Sequence, residues 1–383
     1  KVADKYIRWR GNQLNKIRLL LGAGLLAFFN AASADSRSHT YSMESEALGQ
    51  VTEYKLPWAN PGAGSTHELI FNPEGGQHAW ITGQNYDMLG KVNIKTGTVE
   101  TFEMPAGSGP HGVAFDADGG FWVSLEFAGL VVNIDQTTGE ILQKIDVHMQ
   151  LASSETLINP APHAIEFAAD GKTIWFTGKR TSTVGKIMKN GEVKHYPLPS
   201  LGAVPIYLVP GADGSMWGTE LATNKILKVT DEGVVTEYKI PSYNSRPIAI
   251  IQSPDKKSVW FSQEASHKVA TIDMQGNFKE YPVPKTQSNM LLAGLAFDTQ
   301  GNLWTQSYAD QNNPYNKSAG GSDYIIKLSK DILNAPNNQL TDVTVALYPV
   351  PTQQTVFHRI KAGNDGNIWF TELAQDRIGK VTQ

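Results

Sequence analysis

Short apolar runs alternate with turn residues along most of this chain, and the last stretch shows the pattern most clearly. Residues 358–383, HRIKAGNDGNIWFTELAQDRIGKVTQ, contain three apolar runs separated by an Asn-Asp-Gly turn and a polar loop. Runs rich in Ile, Val, Phe and Trp and bounded by Gly, Asn and Asp predict β-strands joined by hairpins. The same unit recurs along the chain, so the pattern predicts a repeat protein.

Seven of the nine tryptophans occupy one place in this unit: Trp80, Trp122, Trp175, Trp217, Trp260, Trp304 and Trp369. Their intervals of 42, 53, 42, 43, 44 and 65 residues show a spacing near 42 with two insertions. A strand ending in an aromatic residue and a proline, such as VTEYKIP at residues 235–241, closes most units. Proline suits the outer edge of a sheet because it cannot donate to a neighbouring strand. Four strands in each of seven units predict an all-β, seven-bladed β-propeller with the tryptophans packed between blades.

The two ends of the chain complement each other. The last unit stops after its third strand, at Gln383, whereas VTEYKLP at residues 51–57 stands alone before the first tryptophan. We therefore expect this N-terminal strand to complete the last blade, so that residues 51–383 form one closed propeller.

Composition and charge narrow the range of partners. The formal net charge is −4 and the charges are scattered. The sequence therefore contains no basic stripe of the kind that binds nucleic acid, and we expect no nucleic-acid partner. The chain contains no cysteine, so the fold uses no disulfide. We expect a monomer.

The first 50 residues lie outside the repeat. Residues 1–34 combine basic residues, a short apolar run and an Ala-Ser-Ala site, which is the pattern of a signal peptide. We therefore expect export to the periplasm or the exterior, with no stable membrane span after cleavage; an uncleaved anchor is the alternative. Residues 35–50 are polar and without period, which predicts a flexible lead-in.

Ligands of propellers commonly bind at one end of the central axis, where the innermost strand of each blade begins and its second strand ends. Two insertions, residues 148–162 and 309–323, fall on this face. Alignment on the tryptophans gives the opening position of each first strand: His67, His111, His163, Ile206, Ile248, Ala293 and His358. Four of the nine histidines thus share one register, which predicts a small-molecule or peptide ligand at this mouth.

The second strands end in polar residues in several blades. Glu220, Gln263 and Glu372 occupy this position, and Glu126 lies one residue beyond it in blade 2. An imidazole transfers protons near neutral pH or ligates a metal, and a carboxylate ligates Mg²⁺. The alternative is structural, with these side chains hydrogen-bonded to backbone and water around the channel. His67, His111, His163, Glu126 and Gln263 are the expected substrate-binding residues.

Three segments carry a family resemblance: PHGVAFDADGGFW at residues 110–122, PHAIEFAADGKTIWFTG at residues 162–178, and GNDGNIWFTELAQDRIGKVT at residues 363–382. They resemble the streptogramin lyase family, typified by virginiamycin B lyase, and the resemblance covers the whole ring. It implies a carbon–oxygen lyase that opens a cyclic ester by elimination. It also implies that His358 is the base and that Glu372 binds Mg²⁺.

Two positions depart from the family pattern. Val356 replaces the second metal-binding glutamate, and Ala293 replaces a substrate-contacting histidine. Glu220 or Glu126 would then have to supply the second carboxylate.

Two other functions stay open. One is a non-catalytic propeller that recognises a peptide, glycan or envelope partner at the same mouth. The other is a lactonase or esterase propeller, which would need several axial carboxylates or asparagines. Neither a nucleotide-binding loop nor a serine-hydrolase motif occurs in the sequence.

Overall fold

The computed structural model describes residues 38–58, 64–152, 154–310 and 322–383. These residues form seven antiparallel blades, six of them built from four strands consecutive in the chain. The first strand of each blade contacts the first strands of both neighbouring blades, and the ring closes between blade 7 and blade 1. The predicted all-β, seven-bladed propeller is confirmed.

The strands of each blade run from the axis outward in the following order. Blades 1 and 2 comprise Thr66–Phe71, His78–Gly83, Met88–Asn93 and Thr98–Glu103, then Pro110–Phe115, Phe121–Leu125, Leu130–Ile134 and Ile141–Asp146. Blades 3 and 4 comprise Pro162–Phe167, Ile174–Gly178, Thr183–Ile187 and Val193–Pro197, then Pro205–Pro210, Met216–Glu220, Lys225–Val229 and Val235–Lys239. Blades 5 and 6 comprise Pro247–Gln252, Ser258–Gln263, Lys268–Asp273 and Phe278–Pro282, then Met290–Phe297, Leu303–Ala309, Tyr324–Leu328 and Val345–Pro349. Blade 7 comprises Phe357–Ala362, Ile368–Glu372, Arg377–Val381 and Val51–Lys55, and two 3-10 helices span Gln84–Tyr86 and Lys330–Asn334.

The strand Val51–Lys55 pairs antiparallel with Arg377–Val381 and forms the fourth strand of blade 7. This is the pairing expected from the isolated VTEYKLP pattern. Tyr54 stacks on Trp369 with ring centroids 5.9 Å apart, as the fourth-strand tyrosine of blade 4 stacks on its tryptophan at 5.5 Å. The N-terminal strand therefore reproduces the side-chain contacts of a regular fourth strand as well as its backbone pairing.

Residues 38–50 differ from the flexible lead-in expected for residues 35–50. His39–Ser42 pairs with the outer strand of blade 1, and Ser45–Leu48 pairs with Val51–Lys55 on blade 7. Every residue of both added strands is exposed, so no hydrophobic period marks them in the sequence. The outer edge of a sheet offers unpaired N–H and C=O groups, and the added strands satisfy them. The signal peptide predicted for residues 1–34 lies outside the described residues.

The seven repeat tryptophans are buried, with none more than 9% exposed. They belong to the apolar layers between blades. Trp217 of blade 4, for example, shares a cluster with Ile250 and Val259 of blade 5. In several blades a third-strand lysine lies over the indole ring, as Lys228 does at 5.2 Å from the ring centroid of Trp217. The predicted packing role of the tryptophans is therefore confirmed.

All seven first strands contain a β-bulge at the same place. The register shifts across one pair of residues in each blade: His67 and Glu68, His111 and Gly112, His163 and Ala164, Ile206 and Tyr207, Ile248 and Ala249, Ala293 and Gly294, and His358 and Arg359. A bulge redirects side chains and leaves a backbone N–H outside the ladder. In every blade that N–H, on the second residue of the pair, donates to a side chain two residues after the repeat tryptophan: Thr82, Ser124, Thr177, Thr219, Ser262, Gln306 and Thr371.

The insertion at residues 148–162 forms a small hairpin of Met149–Gln150 and Leu157–Ile158. Asn159 Nδ2 donates to the carbonyl oxygens of Glu126 and Phe127, so the insertion is attached beside the end of a second strand. Residues 311–321, most of the other insertion, lie outside the described residues. In the part of the chain that the structure describes, no helix is both long and apolar enough to cross a membrane.

Candidate functional site

The second bulge residues of blades 1, 4 and 7 meet at the axis. The Tyr207 hydroxyl donates to Glu68 Oε1 at 2.6 Å. Arg359 contacts Glu68 Oε2 through Nε and through a terminal guanidinium nitrogen, both at 2.6 Å. The Arg359 guanidinium also lies 4.1 Å from the ring centroid of Tyr207. One carboxylate thus connects three blades across the channel.

His358 belongs to the same group of side chains. Its Nε2 lies 2.9 Å from the Tyr207 hydroxyl oxygen and 3.2 Å from Glu68 Oε1. Because the single hydroxyl hydrogen of Tyr207 is donated to Glu68, the hydrogen-bond network assigns a hydrogen to Nε2 and a lone pair to Nδ1. Nδ1 has no hydrogen-bond partner within the described ranges, and 12% of the side chain is exposed. His358 therefore presents a free basic nitrogen.

Three more histidines surround His358. The His67 ring centroid lies 4.9 Å from that of His358 and 5.0 Å from that of His111, which stacks on His163 at 3.8 Å. The Nδ1 atoms of His67 and His111 lie 2.7 and 2.8 Å from backbone carbonyl oxygens. A carbonyl can only accept, so both Nδ1 atoms carry hydrogen and both Nε2 atoms carry lone pairs. His111 Nε2 is buried without a partner among the described residues.

The charges in this cluster follow from burial and from neighbouring cations. Burial alone would raise the pKa of the Glu68 carboxyl, but Arg359 and His358 hold the pKa of Glu68 well below its usual range. Burial lowers the pKa of His67 and of His111 well below the usual histidine value, and neighbouring imidazoles add to the effect. Glu68 is therefore an anion, and these two histidines are neutral.

Glu126 forms a second carboxylate centre beside the histidines. Its Oε2 lies 3.1 Å from His163 Nδ1 and accepts from Gln84 Nε2 at 2.7 Å. Lys179 Nζ lies 3.4 Å from both Glu126 Oε1 and His163 Nδ1. Burial would raise the pKa of Glu126, but Lys179 and His163 hold it well below its usual range. Burial, with Lys179, lowers the pKa of His163 to about 4.

Four of the five residues expected to bind substrate thus lie together with the expected base. We refer to the following residues as the axial cluster: His67, Glu68, His111, Glu126, His163, Tyr207, His358 and Arg359.

Glu372, the expected Mg²⁺ ligand, does not join the axial cluster. It pairs in register with Phe357, the residue before His358. Successive side chains of a strand point to opposite faces, so Glu372 and His358 face in different directions. No donor reaches either carboxyl oxygen of Glu372 among the described residues, but a protonated Glu372 lies within hydrogen-bond reach of Glu53. Burial, together with the nearby carboxylate of Glu53, raises the pKa of Glu372 well above its usual value.

Glu220 and Gln263 occupy the corresponding position in blades 4 and 5. Glu220 Oε2 accepts from Thr223 at 2.5 Å, and burial raises the pKa of Glu220 to about 7. Gln263 Nε2 donates to Glu280 Oε1 at 2.7 Å. Glu220 thus contacts a residue of its own blade 4, and Gln263 contacts a residue of its own blade 5. Neither residue belongs to the axial cluster.

The described residues do not form the Mg²⁺ site that the resemblance implies. Mg²⁺ requires an octahedral set of oxygen ligands at about 2.0–2.1 Å. Near Glu372, the side chain of Val356 offers no oxygen, and the carboxylates of Glu53 and Asp323 already accept hydrogen bonds from threonines. Arg377 lies 3.8 Å from Glu53 and supplies positive charge there. Among the described residues near Glu372, both other carboxylates are therefore already engaged in hydrogen bonds.

The repeat pattern of the sequence does not identify Glu68, Tyr207 and Arg359, which hold the axial cluster together. In a regular strand, the residue after each opening histidine would point to the opposite face. The bulge brings both residues of the pair toward the axis. One signal was present in the sequence: the same position holds only small residues in the other blades, namely Gly112, Ala164, Ala249 and Gly294.

Comparisons with known proteins agree with this architecture. Virginiamycin B lyase of Nocardia farcinica is 29% identical over 157 residues, which are 40% of this chain and 48% of that protein. The chain therefore spans about half the length of this curated relative. The structure of virginiamycin B lyase from Staphylococcus aureus has a TM-score of 0.69 and 24% identity, covering 87% of this chain and 99% of that one.

A catalytically inactive variant of the Staphylococcus aureus enzyme, with a histidine replaced by alanine, is known with quinupristin. It has a TM-score of 0.69 and 23% identity over 87% of this chain and 99% of that one. At these identities the likeness to solved structures concerns the fold. The sequence model of the virginiamycin B lyase family matches residues 43–313, well over half of the chain. This chain belongs to the virginiamycin B lyase family.

Proposed function

We propose that this protein opens a cyclic ester, of the depsipeptide or lactone class, by β-elimination at the axial mouth, with His358 as the base. The observation that carries the proposal is the arrangement of His358. Its Nε2 is held by Tyr207 and Glu68, and its Nδ1 is left to accept a proton. Membership of the virginiamycin B lyase family supports the same reaction class.

The proposed reaction is a proton transfer coupled to cleavage of a C–O bond. His358 Nδ1 takes a proton from a carbon that lies next to a carbonyl and one bond from the carbon bearing the ester oxygen. The electron pair forms a C=C bond while the C–O bond breaks, and the ester leaves as a carboxylate. Glu68 stabilises the imidazolium, and Arg359 keeps Glu68 ionised. No step is assigned to Mg²⁺.

Mass spectrometry of the product tests this proposal. Purified protein is incubated with quinupristin, with and without a chelator and with and without added Mg²⁺. Elimination gives a ring-opened product of unchanged mass, whereas hydrolysis adds the mass of one water molecule. We expect elimination in wild type and its loss in His358→Ala, with the exposed His78→Ala as a matched control.

Two results would contradict the proposal. A product one water heavier would indicate an esterase, and tight binding without turnover would indicate the binding propeller considered above. Export, expected from residues 1–34, remains a prediction. Cell fractionation of the full chain and N-terminal analysis of the recovered protein would test it.

A further inference from the structure

The histidine at the centre of the axial cluster has a nitrogen without a partner. His111 is fully buried, its Nδ1 lies 2.8 Å from the His163 carbonyl oxygen, and its Nε2 contacts no donor among the described residues. A buried lone pair without a hydrogen bond costs about 1–3 kcal/mol. A ligand that accepts this lone pair would remove that cost.

We propose that the axial cluster binds a divalent ion of the zinc class through Glu68, His111 and His358. One potential ligand atom from each of these residues lies within 4.8 Å of the other two. Glu68 Oε1 and His358 Nε2 are 3.2 Å apart. Zinc bonds of about 2.0–2.1 Å place tetrahedral ligand atoms roughly 3.3 Å apart, which matches the separation of Glu68 Oε1 and His358 Nε2.

Two of these residues, His111 and Glu68, have the outer contacts of metal ligands. Histidine ligands of zinc usually donate their other ring N–H to a carbonyl or carboxylate, which fixes the tautomer. His111 Nδ1 makes this contact with the His163 carbonyl. Arg359 holds Oε2 of Glu68, and an ion at Oε1 would replace the hydrogen bonds that this oxygen accepts from Tyr207 and His358. The Tyr207 hydroxyl lies beside both of these ligand atoms, 2.6 Å from Oε1 and 2.9 Å from His358 Nε2.

The donor set selects the class of ion. Two imidazoles and one carboxylate suit zinc or cobalt, whereas Mg²⁺ prefers oxygen ligands. The second group of possible ligands, His111 with Glu126 and His163, is less suitable. Lys179 Nζ already lies 3.4 Å from both Glu126 and His163, so a cation occupies that position.

The metal role and the base role of His358 exclude each other in one molecule. An ion takes the lone pair of Nε2 and moves the ring hydrogen to Nδ1, which could then no longer accept a proton. If the proposed elimination occurs, Zn²⁺ should inhibit it. The metal inference itself does not rest on the proposed function, because binding is measured without substrate.

Thermal unfolding and cobalt spectroscopy test the site. The chelator-treated full chain is titrated with Zn²⁺, with Co²⁺ and with Mg²⁺. We expect Zn²⁺ to raise Tm by several degrees, Mg²⁺ to leave it unchanged, and Co²⁺ to give visible absorption bands of a tetrahedral nitrogen and oxygen site.

Two variants separate the axial site from surface binding. His111→Asn keeps a donor for the His163 carbonyl but removes Nε2, and should weaken Co²⁺ binding at least about 100-fold. His148→Ala removes the surface pair of His148 with Asp146 and should leave the absorption bands intact. Equal Tm shifts with Zn²⁺ and Mg²⁺, or cobalt bands unchanged in His111→Asn, would overturn the proposal.

Discussion

Glu68 at the axis and Glu372 inside blade 7 are both buried glutamates, 1% and 0% exposed, but their carboxyl pKa values shift in opposite directions. Burial raises the pKa of both groups. At Glu68 the guanidinium of Arg359 outweighs burial, whereas at Glu372 the carboxylate of Glu53 adds to it. The neighbouring charge, and not burial, therefore decides whether a buried carboxyl of this propeller is ionised.

The two regions also differ in what they hold together. The axial cluster joins blades 1, 4 and 7 through side chains that begin at bulges. Glu372, Glu220 and Gln263 end the second strands. Glu220 and Gln263 accept from or donate to partners in their own blades, and the nearest charge to Glu372 is Glu53 of blade 7. Chemistry is therefore expected at the axis, and packing at the ends of the second strands.

The largest expected effect is the loss of activity in His358→Ala. Removal of a general base typically costs about 10²–10⁴-fold in rate, so we expect kcat for ring opening to fall by that factor. Glu372→Gln should retain activity, because Glu372 lies outside the axial cluster. Steady-state kinetics of both variants would check this. A larger loss in Glu372→Gln than in His358→Ala would reverse the assignment of the two regions.

Removal of the Arg359 cation beside Glu68 should have the largest effect on stability. Arg359→Met leaves a buried carboxylate without its ion-pair partner, and breaking a buried pair costs about 3–5 kcal/mol. The free energy of unfolding, from urea denaturation, should fall by this amount. The double variant with Glu68→Gln should recover part of it. An unchanged urea midpoint in Arg359→Met would show that Glu68 does not depend on this cation.

Glu372→Gln should stabilise the protein at neutral pH. The raised pKa of Glu372 means that the folded state prefers the protonated carboxyl. The protonated Glu372 carboxyl stabilises the folded state fully below about pH 4.5, the pKa of this carboxyl in the unfolded chain. This stabilisation is lost as the pH rises through the higher pKa that Glu372 has in the folded protein. A neutral amide avoids that loss, so the unfolding free energy at pH 8 should rise by about 1–3 kcal/mol. Equal stability of the variant and wild type at pH 8 would contradict a protonated Glu372.

Glu220→Gln should give a smaller effect of the same sign. The pKa of Glu220 rises from 4.5 to about 7, so the stabilising protonated form is lost between these pH values. The variant should match wild type near pH 4.5 and exceed it at pH 8, with the gain building up between these two pKa values. The same pH dependence of stability in wild type and Glu220→Gln would disprove this account.

Blade 5 offers the converse experiment. Gln263 Nε2 donates to Glu280 in the wild-type protein, so Gln263→Glu would place two carboxylates side by side and should lower Tm at pH 8.

Much of the fold could be predicted from the sequence because its signals are local. Tryptophan spacing, Asp-Gly turns and strands ending in proline each act over a few residues, and together they predict the number of blades. The added strands His39–Ser42 and Ser45–Leu48 could not be predicted. They pair along sheet edges through backbone hydrogen bonds and bury none of their residues, so they need no particular side chains.

The candidate site was only partly predictable. His67, His111, His163 and His358 share one register of the repeat, and that register faces the axis. Glu372 was expected beside His358 because both lie at the same end of blade 7. Their side chains nevertheless point to different faces. Glu372 is paired with Phe357, the residue before His358, and therefore shares the face of Phe357.

By itself, the sequence determined a ring of seven blades, the supply of its last strand by the N-terminal segment, and the row of histidines at one end. These properties follow from periodicity and from turn chemistry, which neighbouring residues dictate. Only the tertiary structure decided that Glu68, Tyr207 and Arg359 share one charged centre. Glu68 is separated from Tyr207 by 139 residues and from Arg359 by 291, and closure of the ring brings them together. The bulges then direct the three side chains to the same axis, where burial makes their mutual charges decisive.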